Sequence, residues 1–164
     1  MSSFLRPDFV TEMLATIQAR LPDTASLEGL SEAEADLLAA ATVHGLVGNG
    51  GHLFWYEGMD RDDTLRAASA LERMDLFPQA VALKRSLQAF PNGEPPRDLD
   101  ERRYYLSTNR ARLEAEFDPL DRAMWKTKFD EAAQRYALRR RAELVQANPA
   151  LARLYPAEPR RERA

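Results

Sequence analysis

The chain has 164 residues, of which 45% are apolar and 30% charged, with 10 Pro, 7 Gly and no Cys. That length suits one domain with a real core, the apolar content argues against a disordered chain, and the lack of Cys excludes disulfides, thiolate nucleophiles and Cys-ligated metal. No apolar run approaches the ~20 residues of a membrane-spanning helix, and Arg6, Asp8, Glu12 and Arg20 interrupt the stretch where a secretory leader would be apolar, so a soluble, cytoplasmic chain is expected.

Helical periodicity dominates, and no segment alternates with a period of two. Pro7 to Leu21 reads as a first helix, with Phe9, Met13, Ile17 and Leu21 on one side and Pro7 in its first turn. Ser31-Glu32-Ala33-Glu34 matches a capping box that opens a helix running to about Val47. Apolar residues surround most of that helix, which predicts a central position in the core. Gly48-Asn49-Gly50-Gly51 breaks it, and the bulky run His52-Leu53-Phe54-Trp55-Tyr56 follows. Asp60, Asp62 or Asp63 caps the next helix, with Leu65, Ala68 and Leu71 inward. Pro78 starts another, and Pro91-Asn92-Gly93-Glu94-Pro95-Pro96 is the clearest loop. Helices are then expected from Asp98 to Leu106, from Asn109 to Phe117, from Asp118-Pro119 onward, and from Phe129 to Asn148. The tail from about Pro156 is basic and expected to fray. The reading is all-α: a single compact bundle of about seven helices over residues 1–164, with an Asn-Gly-Gly turn between two core helices.

The net charge of −3 hides a split. Residues 1–100 carry 16 acids against 8 bases, and residues 101–164 carry 10 acids against 15 bases. Such a layout either gives two faces of opposite potential or is neutralised where the halves meet.

Val47 to Tyr56, Ala67 to Leu71, Phe77 to Pro91, the loop Asn92-Gly93-Glu94-Pro95-Pro96 and Arg103 together resemble a widespread bacterial domain of unknown function. That domain also forms the C-terminal part of a bacterial DNA-mimic protein. The resemblance covers about residues 35–105, and its most specific pieces are Asn49-Gly50-Gly51 and Ala89-Phe90-Pro91-Asn92-Gly93. His52 stands where the family usually has an aromatic, and Phe54 sits near a commonly polar position. The resemblance implies an all-helical cytoplasmic protein with no established catalytic residues. Its DNA-mimic member is a non-enzyme that covers the DNA-binding face of a transcription factor with surface carboxylates.

Other constellations are weaker. The turn at Gly48 to Gly51 fits neither a P-loop nor a dinucleotide fingerprint, so its expected role is structural. Phe54, Trp55 and Tyr56 are expected to pack in the core, although neighbours about 100° apart on a helix cannot share one flat surface. His44 and His52 are the only histidines, and their spacing matches no metal motif. Arg140 falls within the apolar face of the last helix, so it is expected to be buried against an acid from the N-terminal half.

The function expected is protein–protein association through an acidic face from residues 8–36 and 57–63, with Glu28, Glu32, Asp36, Asp60, Asp62 and Asp63 as partner-binding carboxylates. One form of this is decoy binding to a DNA-binding protein. No cofactor, metal, membrane or direct nucleic-acid contact is expected. The alternative is an enzyme or ligand binder whose pocket at the turn is lined by His44, His52, Trp55 and Glu57.

Overall fold

The computed structural model describes residues 8–22 and 26–156. Pro7 and the tail beyond 156 lie outside them. Eight α-helices and three short 3-10 turns make up the described residues, without a strand. The helices are α1 (Phe9–Gln18), α2 (Glu32–Tyr56), α3 (Arg61–Arg73), α4 (Phe77–Ser86), α5 (Leu99–Thr108), α6 (Arg110–Trp125), α7 (Phe129–Arg139) and α8 (Arg141–Ala147).

The chain builds outward from α2, which packs on α3 and α6 while α4 closes the ring by packing on both. This central place follows from its composition, because Ala33, Leu37, Leu38, Ala40, Val43 and Val47 are buried around much of its circumference. Ser31 and Glu34 form the expected capping box: the Glu34 amide donates to Ser31 Oγ at 3.2 Å, and the Ser31 amide donates to Glu34 Oε2 at 2.9 Å. Asp60 and Asp63 form a second box at the start of α3. Helix α1 buries Phe9, Val10, Met13 and Ile17 against α2, α7 and the turn Pro149–Leu154.

Two expected boundaries differ. Residues 110–125 form one helix despite Pro119. Proline removes one backbone donor at a cost of about 3 kcal/mol, which burial of Leu113, Phe117 and Met124 along the same side offsets. The last helix, expected to be continuous, bends at Arg140 (φ −102°, ψ 14°) into α7 and α8. The bend lets Glu143 reach back, where its Oε1 accepts from the Ala33 amide at 3.0 Å and so caps α2 from 110 residues away. Arg140 is 29% exposed rather than buried. Its nearest acid is Glu143 of α8 at 2.5 Å, with Glu32 from the N-terminal half at 3.8 Å.

Arg139–Asp75 and Arg140–Glu32 join the acidic and basic halves along this seam, beside ion pairs internal to the first half. Asp36 takes a bidentate pair from Arg73, at 2.6 and 2.5 Å, and a hydrogen bond from the Tyr136 hydroxyl at 2.6 Å. Burial, and then the adjacent Asp36 carboxylate, raise the Tyr136 phenol above its ordinary pKa, so it stays a donor. Arg139 pairs with Asp75 at 2.9 Å, and Arg20 with the buried Glu34 at 2.5 Å. Asp36→Ala leaves Tyr136 and Arg73 without their acceptor. We expect a loss of about 3 kcal/mol in urea unfolding, against about 1 kcal/mol for Tyr136→Phe.

Candidate acidic interface

The Asn-Gly-Gly segment interrupts α2 at one residue. Gly51 has φ 70° and ψ −174°, a combination essentially confined to glycine. A break inside a helix strands the amides that follow it, because their carbonyl partners lie on the wrong path. Asp121 of α6 supplies the missing acceptor. Its Oδ1 takes the His52 amide at 2.8 Å and contacts His52 Nδ1 at 2.5 Å. A Cβ on Gly51 would lie 2.4 Å from Asp121 Oδ2, so the glycine also makes room for the carboxylate. Gly50 has a parallel task, since a Cβ there would meet the Phe54 side chain at 2.6 Å.

The limb beyond the break carries the aromatic run into the core. Tyr56 lies 4.7 Å from Phe90 and 5.9 Å from Phe117, measured between ring centres. Its hydroxyl bonds to Ser86 at 2.6 Å, and burial pushes its phenol pKa up to about 12. Trp55 is buried, and its Nε1–H donates to Thr64 at 2.9 Å. Phe54 departs from the expectation of core packing and is 41% exposed, because the same 100° steps that bury Trp55 and Tyr56 turn it outward.

The proposed pocket residues do not converge. His52 is fully buried on Asp121. His44 stacks on Phe129 at 4.6 Å. Trp55 floors a groove beside Met59 and Ala67, whereas Glu57 lines a different groove against α6. No shared cavity holds the four.

The candidate carboxylates also separate. Asp36 is only 3% exposed and consumed by Arg73 and Tyr136, so it is not an outward-facing acid. Glu32 is exposed but lies 3.6 Å from Arg73 and 3.8 Å from Arg140. Glu28 is exposed on the approach to α2. Asp60 and Asp63 cap α3, and Asp63 also lies 3.6 Å from Arg66. Partial burial opposes ionisation of Asp60, but amides of Asp63 and Asp62, the Asp63 side chain and Arg102 outweigh it and lower its pKa. Burial raises that of Asp63. Asp62 points outward in the first turn of α3.

Arg102 organises the edge around these acids. It is 3% exposed and, among the described residues, hydrogen-bonds no carboxylate; its guanidinium donates instead to the carbonyls of Tyr56 (2.9 Å), Pro96 (2.7 Å) and Arg97 (3.0 Å). A cation suits the negative end of α2. The bonds pin the start of α5 beside the corner between α2 and α3. Asp60, Asp62 and Glu94 line one shallow hollow with Arg61 and Arg97, while Asp98, Asp100 and Glu101 are exposed at the start of α5 and Arg103 donates to the Glu57 carbonyl at 3.3 Å. Among the described residues, no basic side chain pairs with Glu57, Asp62, Asp98, Asp100 or Glu101, whereas Glu94 lies 3.8 Å from Arg61. Nothing in the sequence singles out Arg102 or Asp121. The acidic start of α5 is visible there as a helix-start pattern, and only the fold places it beside the end of α2.

These features describe an all-helical domain built around a broken central helix, with exposed acids at the starts of α3 and α5. The chain belongs to the DMP19-like protein family, whose model matches residues 28–148. This is a DNA-mimic-related domain family of unknown function. Comparison with curated proteins finds no match, and comparison with solved structures finds none either. No helix among the described residues is long and apolar enough to cross a membrane.

Gly51→Ala forces a side chain into glycine-only backbone space and displaces Asp121, so a loss of about 3 kcal/mol is expected in denaturant melts. Combined with Asp121→Ala it costs less than the sum, because both changes break one interaction. Burial lowers the pKa of His44 below its ordinary 6.5, although Asp130 acts in the opposite sense. The unfolded chain therefore takes up the His44 proton first. Its contribution to stability is full above pH 6.5 and lost as pH falls through the folded pKa. Melting curves across that window should be flatter for His44→Phe than for the parent chain.

Proposed function

We propose that the protein acts by association, presenting the edge of Glu57, Asp60, Asp62, Asp98, Asp100 and Glu101 to the basic surface of a protein partner. A DNA-binding protein is the partner class that fits best. The carrying observation is the uneven fate of the acids. Along the seam with α7 and α8 they lie against Arg73, Arg139 and Arg140, while Glu57, Asp62, Asp98, Asp100 and Glu101 pair with no basic side chain among the described residues. Membership of a DNA-mimic-related family supports the reading.

Physically, carboxylates on rigid helix starts substitute for phosphates as fixed negative charges. Holding them on the first turns of α3 and α5 limits the entropy lost on docking. Complementary charge speeds encounter and weakens with ionic strength, since screening shortens its reach to about 8 Å in physiological salt. The mechanism is non-enzymatic, and Glu28 and Glu32 contribute at most to the surrounding negative field.

The test is affinity capture from native lysate at low and high salt, comparing the parent chain with the charge reversal Asp62→Lys/Asp98→Lys/Asp100→Lys/Glu101→Lys. A partner held only at low salt, lost with the quadruple variant and displaced from its DNA by the parent chain is expected. Identical capture by parent and variant overturns the proposal.

A further inference from the structure

A second feature adjoins the acidic edge. The face of Gly50, Leu53, Phe54 and Glu57 on the last limb of α2 lies against the face of Arg110, Glu114, Phe117, Asp118 and Asp121 on α6. Between them runs an open groove of about 390 Å³. It continues past Leu53, Glu57 and Arg110 into a further 260 Å³ bounded by Arg103, Leu106 and Ser107 of α5. Both faces follow helical spacing, so the walls are rigid elements rather than loops.

We propose that this groove seats an amphipathic, Lys/Arg-bearing helical segment of a protein partner, with Phe54 as its apolar anchor. The proposal rests on the association reading above and identifies the part of the partner engaged. Charge complementarity selects the occupant, because the main groove is lined by Glu57, Glu114 and Asp118, with Asp121 held behind them by His52, against Arg110. Glu57 has no cation partner among the described residues. Glu114 with Arg110 (2.8 Å) and Asp118 with Arg122 (2.6 Å) are exposed pairs one turn apart. Such pairs contribute little to stability, so incoming cations can take over these acids at small cost.

The floor supplies what a bare polyanion lacks. Phe54 is the one member of its aromatic run that faces out, and its side chain lies over the bare backbone of Gly50. Leu53 is half-buried beside it, and Phe117 forms the base. Gly50 is thus needed for the position of the anchor, and Gly51 for that of the Asp121 wall. An apolar anchor ringed by acids favours a helix with one apolar stripe and basic flanks over an extended polycation.

The test uses the full chain and two fluorescent peptides of equal charge, a leucine–lysine amphipathic helix and a lysine–serine peptide. The helix should bind the parent chain at least about tenfold more tightly, as burial of one aromatic anchor permits. Phe54→Ser should erase that preference, and Glu114→Lys/Asp118→Lys should weaken both peptides. Because Phe54 is exposed, its replacement should leave the thermal melt nearly unchanged, which separates loss of binding from loss of fold. Equal affinity for the two peptides, or a preference that survives Phe54→Ser, overturns the groove. Salt-sensitive lysate capture unaffected by Phe54→Ser but abolished by charge reversal at Asp62, Asp98, Asp100 and Glu101 removes the groove and keeps the acidic edge. Phe54-dependent peptide binding that survives that charge reversal keeps the groove and removes the edge.

Discussion

The architecture depends on one carboxylate placed against one interrupted helix. Without an acceptor for the His52 amide, the break at Gly51 would leave a buried donor unsatisfied, at a cost of about 1–3 kcal/mol. Asp121 removes that cost and fixes the direction in which α2 restarts. Trp55 and Tyr56 reach Thr64, Ser86 and Phe90 only because the second limb sets off along this path. The same contact joins α2 to α6, two sides of the four-helix ring. His52 strengthens it, since an imidazole at this position brings a ring nitrogen to the carboxylate where a phenyl ring would bring none.

A similar economy governs the charges. Helix starts favour acids, which explains Asp60, Asp62, Asp63, Asp98, Asp100 and Glu101 individually without reference to any partner. Their grouping needs a further cause, and that cause is the buried Arg102. By satisfying carbonyls at the end of α2 and ahead of α5 it holds the acidic start of α5 against the corner where α2 ends. Its guanidinium hydrogen-bonds carbonyls rather than carboxylates, although its charge still acts on Asp60. Across the molecule the opposite happens, because Arg73, Arg139 and Arg140 are spent on Asp36, Asp75, Glu32 and Glu143. A chain of small net charge thus acquires one neutralised seam and one negative edge.

Local patterns in the amino-acid order determined much of this protein. The all-helical class, the Ser31–Glu34 box, a cap among Asp60, Asp62 and Asp63, a break within Gly48 to Gly51 and the inward placement of Trp55 and Tyr56 all follow from propensities and spacing within a few residues. Tertiary structure decided whatever depended on distant partners. Pro119 remains inside α6 because packing outweighs the lost hydrogen bond, and the chain bends at Arg140 so that Glu143 can cap α2. Asp36 became an internal anchor and Phe54 an exposed one, and His44, His52, Trp55 and Glu57 parted to separate surroundings. The physical reason is range: helix signals act over three or four residues, whereas the 69 positions between His52 and Asp121 are bridged only when the fold closes.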